Sequence, residues 1–145
     1  MSVLHVFRGL PGSGKSTAAR KLAEETGAIL IEPDSLLIRN GHYDYTPDKY
    51  RFAVNCAHNM VELASEVGAD IIYADVLPQR REVMTIQSFL LCESVYTLKV
   101  YDLKITPEES QKRNKHNVLP DDIERMSSLW EDWEDESSSA RRYMD

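Results

Sequence analysis

The sequence predicts a three-layer α/β fold, in which a central parallel sheet of about four to five strands is covered by helices on both faces. Short apolar runs typical of buried strands alternate with amphipathic helices along the 145 residues. A glycine-rich turn separates the first strand from the first helix, and a carboxylate follows both the second and the third strand. In such a sheet the crossovers are right-handed, and the loops at the carboxyl ends of the strands form the ligand-binding edge.

The first part of the chain predicts two strands and two helical segments. Residues 3–7 and 28–31 are short apolar runs that predict strands, and residues 16–26 between them predict a helix. Residues 35–39 are compatible with a short helix, and residues 42–45, which are aromatic and polar, are expected to form a loop.

A long helix is predicted to begin at Thr46-Pro47-Asp48, since a cap residue, a proline at the first position and an acid in the first turn mark a helix start. Gly68 lies where this helix is expected to end. The helix then has one apolar face, wide enough to pack on a sheet. The residues of that face are Tyr50, Ala53, Val54, Ala57, Met60, Val61 and Ala64.

The remaining elements continue the alternation. Residues 69–74 and 96–105 predict the third and fourth strands, with a helix over residues 79–92 between them. Thr106-Pro107 repeats the cap-and-proline signature and opens a short helix, and a last helix begins at Pro120. The apolar residues assigned to one face of that last helix are Ile123, Met126, Leu129, Trp130 and Trp133.

The charge of the chain is unevenly distributed. Residues 1–134 are expected to form one domain, and the acidic, serine-rich residues 135–145 are expected to be disordered. The net charge is −7, and residues 121–145 alone hold three basic and nine acidic residues, so the rest of the chain is nearly neutral. Because no basic stripe is present, the protein is not expected to track along a long nucleic acid, whereas a short or single-stranded end is compatible.

Composition also bears on location. No apolar run approaches the roughly 20 residues that span a bilayer, and a signal peptide before the first strand is not expected. A cytoplasmic protein without membrane association is therefore expected. Cys56 and Cys92 are expected to be buried free thiols in a reducing compartment.

The most specific signal is the sequence Gly-Leu-Pro-Gly-Ser-Gly-Lys-Ser-Thr at residues 9–17, which satisfies the phosphate-binding pattern G-x-x-x-x-G-K-[ST]. The glycines let main-chain N–H groups line a concavity, and the N-terminus of the next helix adds partial positive charge. Lys15 is expected to reach the outer phosphates of a nucleoside triphosphate, and the Ser16 hydroxyl to ligate Mg²⁺. The residues predicted to bind the phosphates are Gly12, Ser13, Gly14, Lys15, Ser16 and Thr17.

Asp75 ends the third strand, in the position of a Walker B carboxylate. Two interpretations stay open for it. Asp75 either holds a water molecule bound to Mg²⁺, or caps the turn at Leu77-Pro78.

With these motifs in view, the chain resembles the kinase domain of phage-type polynucleotide 5′-kinases, within the zeta-toxin-like P-loop kinases. The resemblance covers about residues 3–133. Besides the P-loop, it depends on the order and spacing of Ile31-Glu32-Pro33-Asp34, Ile71-Ile72-Tyr73-Ala74-Asp75, Lys112-Arg113-Asn114 and Pro120-Asp121-Asp122-Ile123.

The resemblance implies an ATP- and Mg²⁺-dependent kinase with a named set of catalytic residues. Asp34 matches the aspartate that accepts the proton of the attacking hydroxyl, although an aspartate here also suits the cap of the following short helix. Arg113 matches a lid arginine set against the transferring phosphoryl group, with Lys115 and His116 as weaker candidates. The lid is shorter than in the family.

One departure concerns the acceptor. The family has an arginine three residues after the catalytic aspartate, where it holds the phosphate of the substrate, and this chain has Leu37. Either Arg39 substitutes, or the enzyme does not bind the same phosphate. Tyr43, among the aromatics of residues 42–50, either stacks on a base or packs in the loop. Arg80 and Arg81 either neutralise substrate phosphate or form an exposed first turn of a helix.

The leading hypothesis is therefore transfer of the γ-phosphate of ATP to a hydroxyl of a nucleic acid or nucleotide, with a 5′-OH polynucleotide end as the first candidate. A hydroxymethylated base in DNA, a nucleoside or a small metabolite are alternative acceptors. A hypothesis of another class is an ATP-binding switch that phosphorylates no acceptor. The sequence leaves the oligomeric state open.

Overall fold

The structure is a computed structural model that describes residues 1–133, so the tail predicted over residues 135–145 lies outside the described residues. The strands are β1 (Ser2–Arg8), β2 (Ile29–Ile31), β3 (Ile38–Arg39), β4 (His42–Tyr43), β5 (Ile71–Asp75) and β6 (Tyr96–Asp102). The helices are α1 (Lys15–Thr26), α2 (Pro47–Glu66), α3 (Arg80–Ser88), α4 (Pro107–Arg113) and α5 (Pro120–Ser128). Two 3₁₀ segments span Pro33–Leu37 and Glu93–Val95.

Four strands form a parallel sheet in the order β2-β5-β1-β6. The central strand β1 is apolar over most of its length, which suits a strand that is covered on both faces. Its last residue, Arg8, lies in register with Asp75 of β5 on one side and Asp102 of β6 on the other. The carboxyl edge of the sheet therefore carries a row of charged residues, and the loops that follow these strands share that edge.

Both faces of the sheet are covered by helices. Because successive strand residues point to opposite faces, Leu4 and Val6 of β1 join one apolar cluster and Phe7 joins another. The first cluster includes Ala57, Val61, Val83 and Ile86 from α2 and α3. The second includes Ala18, Ala19 and Leu22 from α1. The predicted three-layer α/β fold with a central parallel sheet is confirmed, with four strands in the sheet.

The predicted helix starts are confirmed by their capping contacts. Thr46 Oγ1 accepts a hydrogen bond from the backbone N–H of Lys49, and Thr106 Oγ1 accepts one from Glu109, both at 3.1 Å. In each case a proline occupies the first helical turn. Of the helices within residues 1–133, none has the length and apolar character needed to cross a bilayer.

The region between β2 and α2 differs from the prediction. The short helix is a 3₁₀ segment over Pro33–Leu37, and the residues that follow form the antiparallel hairpin β3-β4 instead of a loop. Ile38 pairs with Tyr43, and Arg39 pairs with His42. The two-residue turn at Asn40-Gly41 permits this hairpin, because both residues adopt positive φ angles.

The helix predicted over residues 79–92 is shorter. It ends at Ser88, where the N–H groups of Phe89 and Leu90 donate to carbonyls three residues back and Leu90 turns into the core. Cys92 is consequently exposed and Cys56 is half-buried, so the expectation of two buried thiols is wrong. Both cysteines are free.

The last helix is also shorter than predicted. It ends at Ser128, so Leu129, Trp130 and Trp133 do not share its face. The chain leaves the helix because Glu131 donates its N–H to the Pro78 carbonyl at 2.8 Å. This contact fastens the segment after α5 to the connection between β5 and α3.

Candidate active site

The P-loop joins β1 to α1 at the carboxyl edge of the sheet. Gly14 caps α1 with φ 93°, and its carbonyl accepts the first helical hydrogen bond from Ala18 at 2.9 Å. Gly9 is required for packing, because a Cβ atom at this position would lie 2.8 Å from the Leu103 carbonyl oxygen and 2.3 Å from Ser13 Oγ. The buried Ser13 Oγ has no hydrogen-bond partner within residues 1–133.

Helix α4 packs directly on the P-loop. Gly12 has φ +77°, and a Cβ atom there would lie 2.7 Å from the Cβ atom of Arg113. The buried Ser110 hydroxyl donates to the Pro11 carbonyl at 2.6 Å. A side chain at position 12 would therefore push the loop away from the end of α4. Because Gly12 has no side chain, Arg113 can lie beside the loop.

Two of the predicted P-loop residues interact with carboxylates. Ser16 Oγ donates to Glu32 Oε2 at 2.7 Å. Burial lowers the pKa of Lys15, and the nearby carboxylates of Asp75, Asp34 and Glu32 oppose that shift. Glu32 was not among the predicted site residues, although its position directly after β2, two residues before Asp34, was a signal for it.

Each of the two predicted carboxylates accepts a hydrogen bond from a tyrosine. The Tyr43 hydroxyl donates to Asp34 Oδ1 at 2.9 Å, and the Tyr50 hydroxyl donates to Asp75 Oδ2. The Val76 N–H donates to Asp75 Oδ1 at 2.9 Å. Burial and then repulsion from Asp34 raise the pKa of Asp75 to about 6, against the effect of its two hydrogen bonds.

These residues line one cleft of about 980 Å³. The predicted site residues that the structure brings together there are Gly12, Gly14, Lys15, Ser16, Thr17, Asp34, Tyr43, Asp75 and Arg113. Residues of α3, α5 and the segments next to them also line the cleft. They include the apolar residues Leu77, Val118, Leu119, Met126 and Leu129, the cations Arg81 and Arg125, and the carboxylates Glu82 and Asp122.

The end of α4 and the basic connection that follows it lie over the cleft. Arg113, Lys115 and His116 all line it. The His116 ring stacks on Tyr43 with 4.1 Å between ring centroids and 28° between planes. Arg113 also pairs with Glu109 on its own helix, at 3.4 Å. The connection and the β3-β4 hairpin therefore meet above Asp34.

Two predicted substrate-binding residues do not line the cleft. Arg39 is exposed on the hairpin. Arg80 contacts the segment after α5, where its Nε donates to the Asp132 carbonyl at 2.8 Å and its backbone N–H donates to Glu131 Oε1 at 2.7 Å. The neighbouring Arg81 lines the cleft instead.

Arg8 is a buried arginine for which the sequence predicted no role. It connects the segments that follow β5 and α5 at the edge of the site. Arg8 is fully buried, and its Nε and Nη2 both donate to the Leu77 carbonyl, at 3.0 and 2.8 Å. Nη2 also donates to the Pro78 carbonyl at 3.0 Å, and Nη1 donates to the Glu131 carbonyl at 2.7 Å. Nη1 forms an ion pair with Asp102 at 3.2 Å.

The surroundings of Arg8 show why this position takes a guanidinium. Leu77 has φ 51°, a conformation that a non-glycine residue rarely adopts, and the two Arg8 hydrogen bonds stabilise its carbonyl there. The guanidinium also lies 4.4 Å from the Trp130 ring centroid. Asp102 accepts a further hydrogen bond from the Trp133 N–H at 3.0 Å.

The sheet order, the P-loop between β1 and α1, and the carboxylates across the cleft define a protein with the P-loop kinase fold. The family model described as "AAA domain" matches residues 4–135. Because this match covers most of the chain, the protein belongs to that family.

Three relatives illustrate the similarity. Human NEDD4-binding protein 2 is 28% identical over 131 residues, a match that covers 86% of this chain and 7% of that protein. This chain therefore spans about 7% of the length of that curated relative. A sugar kinase from Janibacter sp. is 19% identical with a TM-score of 0.67, over 94% of this chain and 83% of its own. A chain of the Pnkp1/Rnl/Hen1 RNA repair complex is 18% identical with a TM-score of 0.71, over 99% of this chain and 46% of its own. At these identities the two solved structures show the fold alone.

Proposed function

We propose that the protein is an ATP- and Mg²⁺-dependent kinase that transfers the γ-phosphate of ATP to a hydroxyl group, with a 5′-OH polynucleotide end as the acceptor. The observation that carries the proposal is that Asp34 and the P-loop line the same cleft. A phosphate-binding loop alone is compatible with a switch. A carboxylate that lines the same cleft, in the segment after β2, supplies the group that an acceptor hydroxyl needs.

The residues present fit Mg²⁺ and a triphosphate. Mg²⁺ prefers oxygen ligands, and Ser16 Oγ, Glu32 and Asp75 supply hydroxyl and carboxylate oxygens around the P-loop. We expect Ser16 to hold the ion directly, with Glu32 and Asp75 binding its water molecules. When bound, the ion neutralises charge on the phosphate oxygens.

In the proposed reaction, the P-loop N–H groups and Lys15 hold the β- and γ-phosphates. The acceptor hydroxyl replaces the Tyr43 hydroxyl as the hydrogen-bond donor to Asp34. Asp34 then takes the proton of the acceptor hydroxyl. A bond forms between the acceptor oxygen and the γ-phosphorus, and the bond from that phosphorus to the bridging oxygen of ADP breaks. Arg113 stabilises the charge on the transferring group.

The acceptor class rests on the aromatic side of the cleft. Tyr43 stacks on His116, and the Tyr43 and Tyr45 ring centroids are 6.1 Å apart, as are those of Tyr45 and Tyr50. Successive rings of this kind suit the bases of a single strand.

A small hydroxylated metabolite is the second candidate, favoured by one observation. The position of the phosphate-binding arginine in the resembling kinases is here the buried Leu37, and Arg39 does not line the cleft. The acceptor phosphate of a polynucleotide must then be bound by other cations, such as Arg81. A nucleoside or another small molecule has no such requirement.

The test is incubation with ATP labelled in the γ-phosphate and a panel of acceptors comprising 5′-OH DNA, 5′-OH RNA, hydroxymethylated DNA, nucleosides and sugars. We expect label on the 5′-OH strands, and a loss of about 10²–10⁴-fold in transfer rate for Asp34→Asn with ATP affinity unchanged. Asp48→Asn, an exposed carboxylate on α2, is the matched control and should transfer at the wild-type rate. Transfer by Asp34→Asn at the wild-type rate would refute the assigned base, and label only on a nucleoside or sugar would replace the acceptor class.

A further inference from the structure

The Tyr43 hydroxyl lies on the carboxylate that is the proposed base. It donates to Asp34 Oδ1 at 2.9 Å, and both residues line the cleft. A hydrogen bond from a phenol to an ionised carboxylate is charge-assisted, and therefore stronger than one between neutral groups. Burial, the charge of Asp34 and the hydrogen bond to it raise the pKa of Tyr43, so the hydroxyl keeps its proton and remains a donor.

The fold of the hairpin brings Tyr43 back over Asp34. Asp34 lies in the 3₁₀ segment Pro33–Leu37, and the β3-β4 hairpin follows that segment directly. The Asp44 N–H donates to the Leu37 carbonyl at 2.8 Å and closes the base of the hairpin. Because Leu37 is buried, this contact fastens the hairpin to the core beside Asp34.

A second segment of the chain holds the Tyr43 ring from the other side of the cleft. The His116 ring stacks on it, with 4.1 Å between the ring centroids. Asn114 bridges the loop that carries His116, because its Nδ2 donates to the Val118 carbonyl at 2.7 Å and its Oδ1 accepts from the His116 N–H at 3.2 Å. The hairpin backbone and the ring stack therefore both stabilise the position of the Tyr43 hydroxyl on Asp34.

A carboxylate beside a bound γ-phosphate can activate water as well as an acceptor hydroxyl. In that side reaction a bond forms between the water oxygen and the γ-phosphorus, the bond from that phosphorus to the bridging oxygen of ADP breaks, and the carboxylate takes a proton of the water. ATP is then hydrolysed to ADP and inorganic phosphate without transfer. A kinase gains from a device that keeps water away from its base.

Water and an acceptor differ in what they gain by displacing the Tyr43 hydroxyl. A water molecule gains little beyond its contact with Asp34. A larger acceptor also contacts the rings and cations that line the cleft, so its binding offsets the loss of the tyrosine hydrogen bond.

We propose that Tyr43 determines the specificity of the enzyme for its acceptor over water, because its hydroxyl excludes water from Asp34 until an acceptor displaces it. This inference rests on the proposed function, in which Asp34 is the base. It does not depend on which acceptor the enzyme uses.

The first measurement is the release of labelled inorganic phosphate from γ-labelled ATP and Mg²⁺ by the full chain, with no acceptor present. Tyr43→Phe keeps the ring but removes the hydroxyl, which leaves a space that water can fill. Hydrolysis should rise about tenfold or more, because a general base contributes about 10²–10⁴-fold when it is accessible. Damage to the fold would lower the rate instead, and circular dichroism and the affinity for ATP check the fold and the P-loop.

Tyr96→Phe is the matched control. The Tyr96 hydroxyl also donates to a protein oxygen, the Ala69 carbonyl at 2.6 Å, but Tyr96 is the first residue of β6, at the opposite edge of the sheet. This variant should hydrolyse ATP at the wild-type rate. A rise equal to that of Tyr43→Phe would overturn the proposal, since the effect would then not depend on the contact with Asp34.

A double variant tests whether the added hydrolysis uses Asp34. The increase in Tyr43→Phe should be lost when Asp34→Asn is combined with it. An increase that persists in the double variant would mean that another group activates the water, and an unchanged rate in Tyr43→Phe would mean that the hydroxyl excludes none. Either result would overturn the proposal.

The acceptor panel separates this inference from the proposed function. If the wild type labels none of the acceptors, the proposed acceptor reaction fails, whereas Asp34-dependent hydrolysis by Tyr43→Phe would still support the role of Tyr43. If the wild type labels an acceptor and Asp34→Asn does not, the base is correct. An unchanged ratio of hydrolysis to transfer in Tyr43→Phe would then overturn the inference alone.

Discussion

Two buried charged groups lie side by side at the carboxyl edge of the sheet and differ in how they are compensated. Arg8 and Asp75 are register partners on neighbouring strands, and they are 0 and 3% exposed. Arg8 donates to three backbone carbonyls, pairs with Asp102 and packs on an aromatic ring. Asp75 accepts two hydrogen bonds, and burial together with the charge of Asp34 raises its pKa to about 6.

The difference distinguishes a structural charge from a candidate functional one. A fully partnered buried charge stabilises one arrangement of the chain, as Arg8 does for the segments that follow β5 and α5. When the neighbours of a buried carboxylate oppose its ionisation, an additional cation would stabilise its ionised form. Asp75 lines the cleft beside Lys15, where a bound cation would have this effect.

The largest expected effect is on stability and concerns Arg8. Arg8→Leu should lower the free energy of unfolding by about 3–5 kcal/mol, because it leaves Asp102 buried without its ion pair and removes the donors to the Leu77 and Glu131 carbonyls. Urea unfolding followed by tryptophan fluorescence measures this change.

Arg20→Leu is the matched control for Arg8. Arg20 is 65% exposed on its side chain and lies 3.8 Å from Glu32, so its removal should change the free energy of unfolding by less than about 1 kcal/mol. Equal losses in the two variants would mean that the Arg8 contacts add nothing beyond those of a surface ion pair.

The sequence was sufficient for the parts of the fold that depend on neighbouring residues. The P-loop follows from the spacing of its glycines and lysine, and the starts of α2 and α4 follow from Thr46 and Thr106, whose side chains cap the helices as predicted. The parallel sheet follows from the alternation of apolar runs with helices. In each case the pattern and the contact lie within a few residues of each other.

The role of Arg8 could not be predicted, because its partners Leu77, Asp102 and Glu131 lie far away in the sequence. The same contacts explain the error at the end of α5, where helical periodicity continues through Trp130 and Trp133 but Glu131 bonds to the loop after β5. In the candidate site, the P-loop and strand-end carboxylates were found from sequence. Their tyrosine partners, by contrast, depend on how a hairpin and a helix pack.

The second prediction concerns Asp75. Its replacement should raise the free energy of unfolding, whereas the replacement of Arg8 should lower it. The pKa of Asp75 rises from 3.8 to about 6 on folding, so the folded state binds more protons in this interval and the free energy of unfolding falls as the pH rises through it. The side chain in Asp75→Asn does not ionise, so this variant does not undergo that fall in the free energy of unfolding. The variant should gain up to about 3 kcal/mol over the wild type at pH 7 and little at pH 4, measured by urea unfolding at each pH.

Comparison at equal pH cancels the contributions of other groups, including His5, whose pKa burial lowers to about 4. The same variant should lose phosphoryl transfer by about 100-fold or more, because the proposed metal site loses a carboxylate. A variant that is destabilised at pH 7 as at pH 4 would show that Asp75, like Arg8, is a structural charge.

The smallest effect is expected from the tyrosine that bonds Asp75. Tyr50→Phe removes a hydrogen bond that favours the ionised carboxylate, so the pKa of Asp75 should rise above about 6. If ionised Asp75 is needed for transfer, the acid limb of the kcat/KM profile should move to higher pH, by a fraction of a unit to about one unit. Tyr45→Phe removes a hydroxyl from the same cleft but leaves the hydrogen bonds to Asp34 and to Asp75 in place, so its limb should stay at the wild-type pH. If the acid limb of the kcat/KM profile is unchanged in Tyr50→Phe, a group other than Asp75 controls it. Only the stability measurements would then distinguish Asp75, as a functional charge, from Arg8, as a structural one.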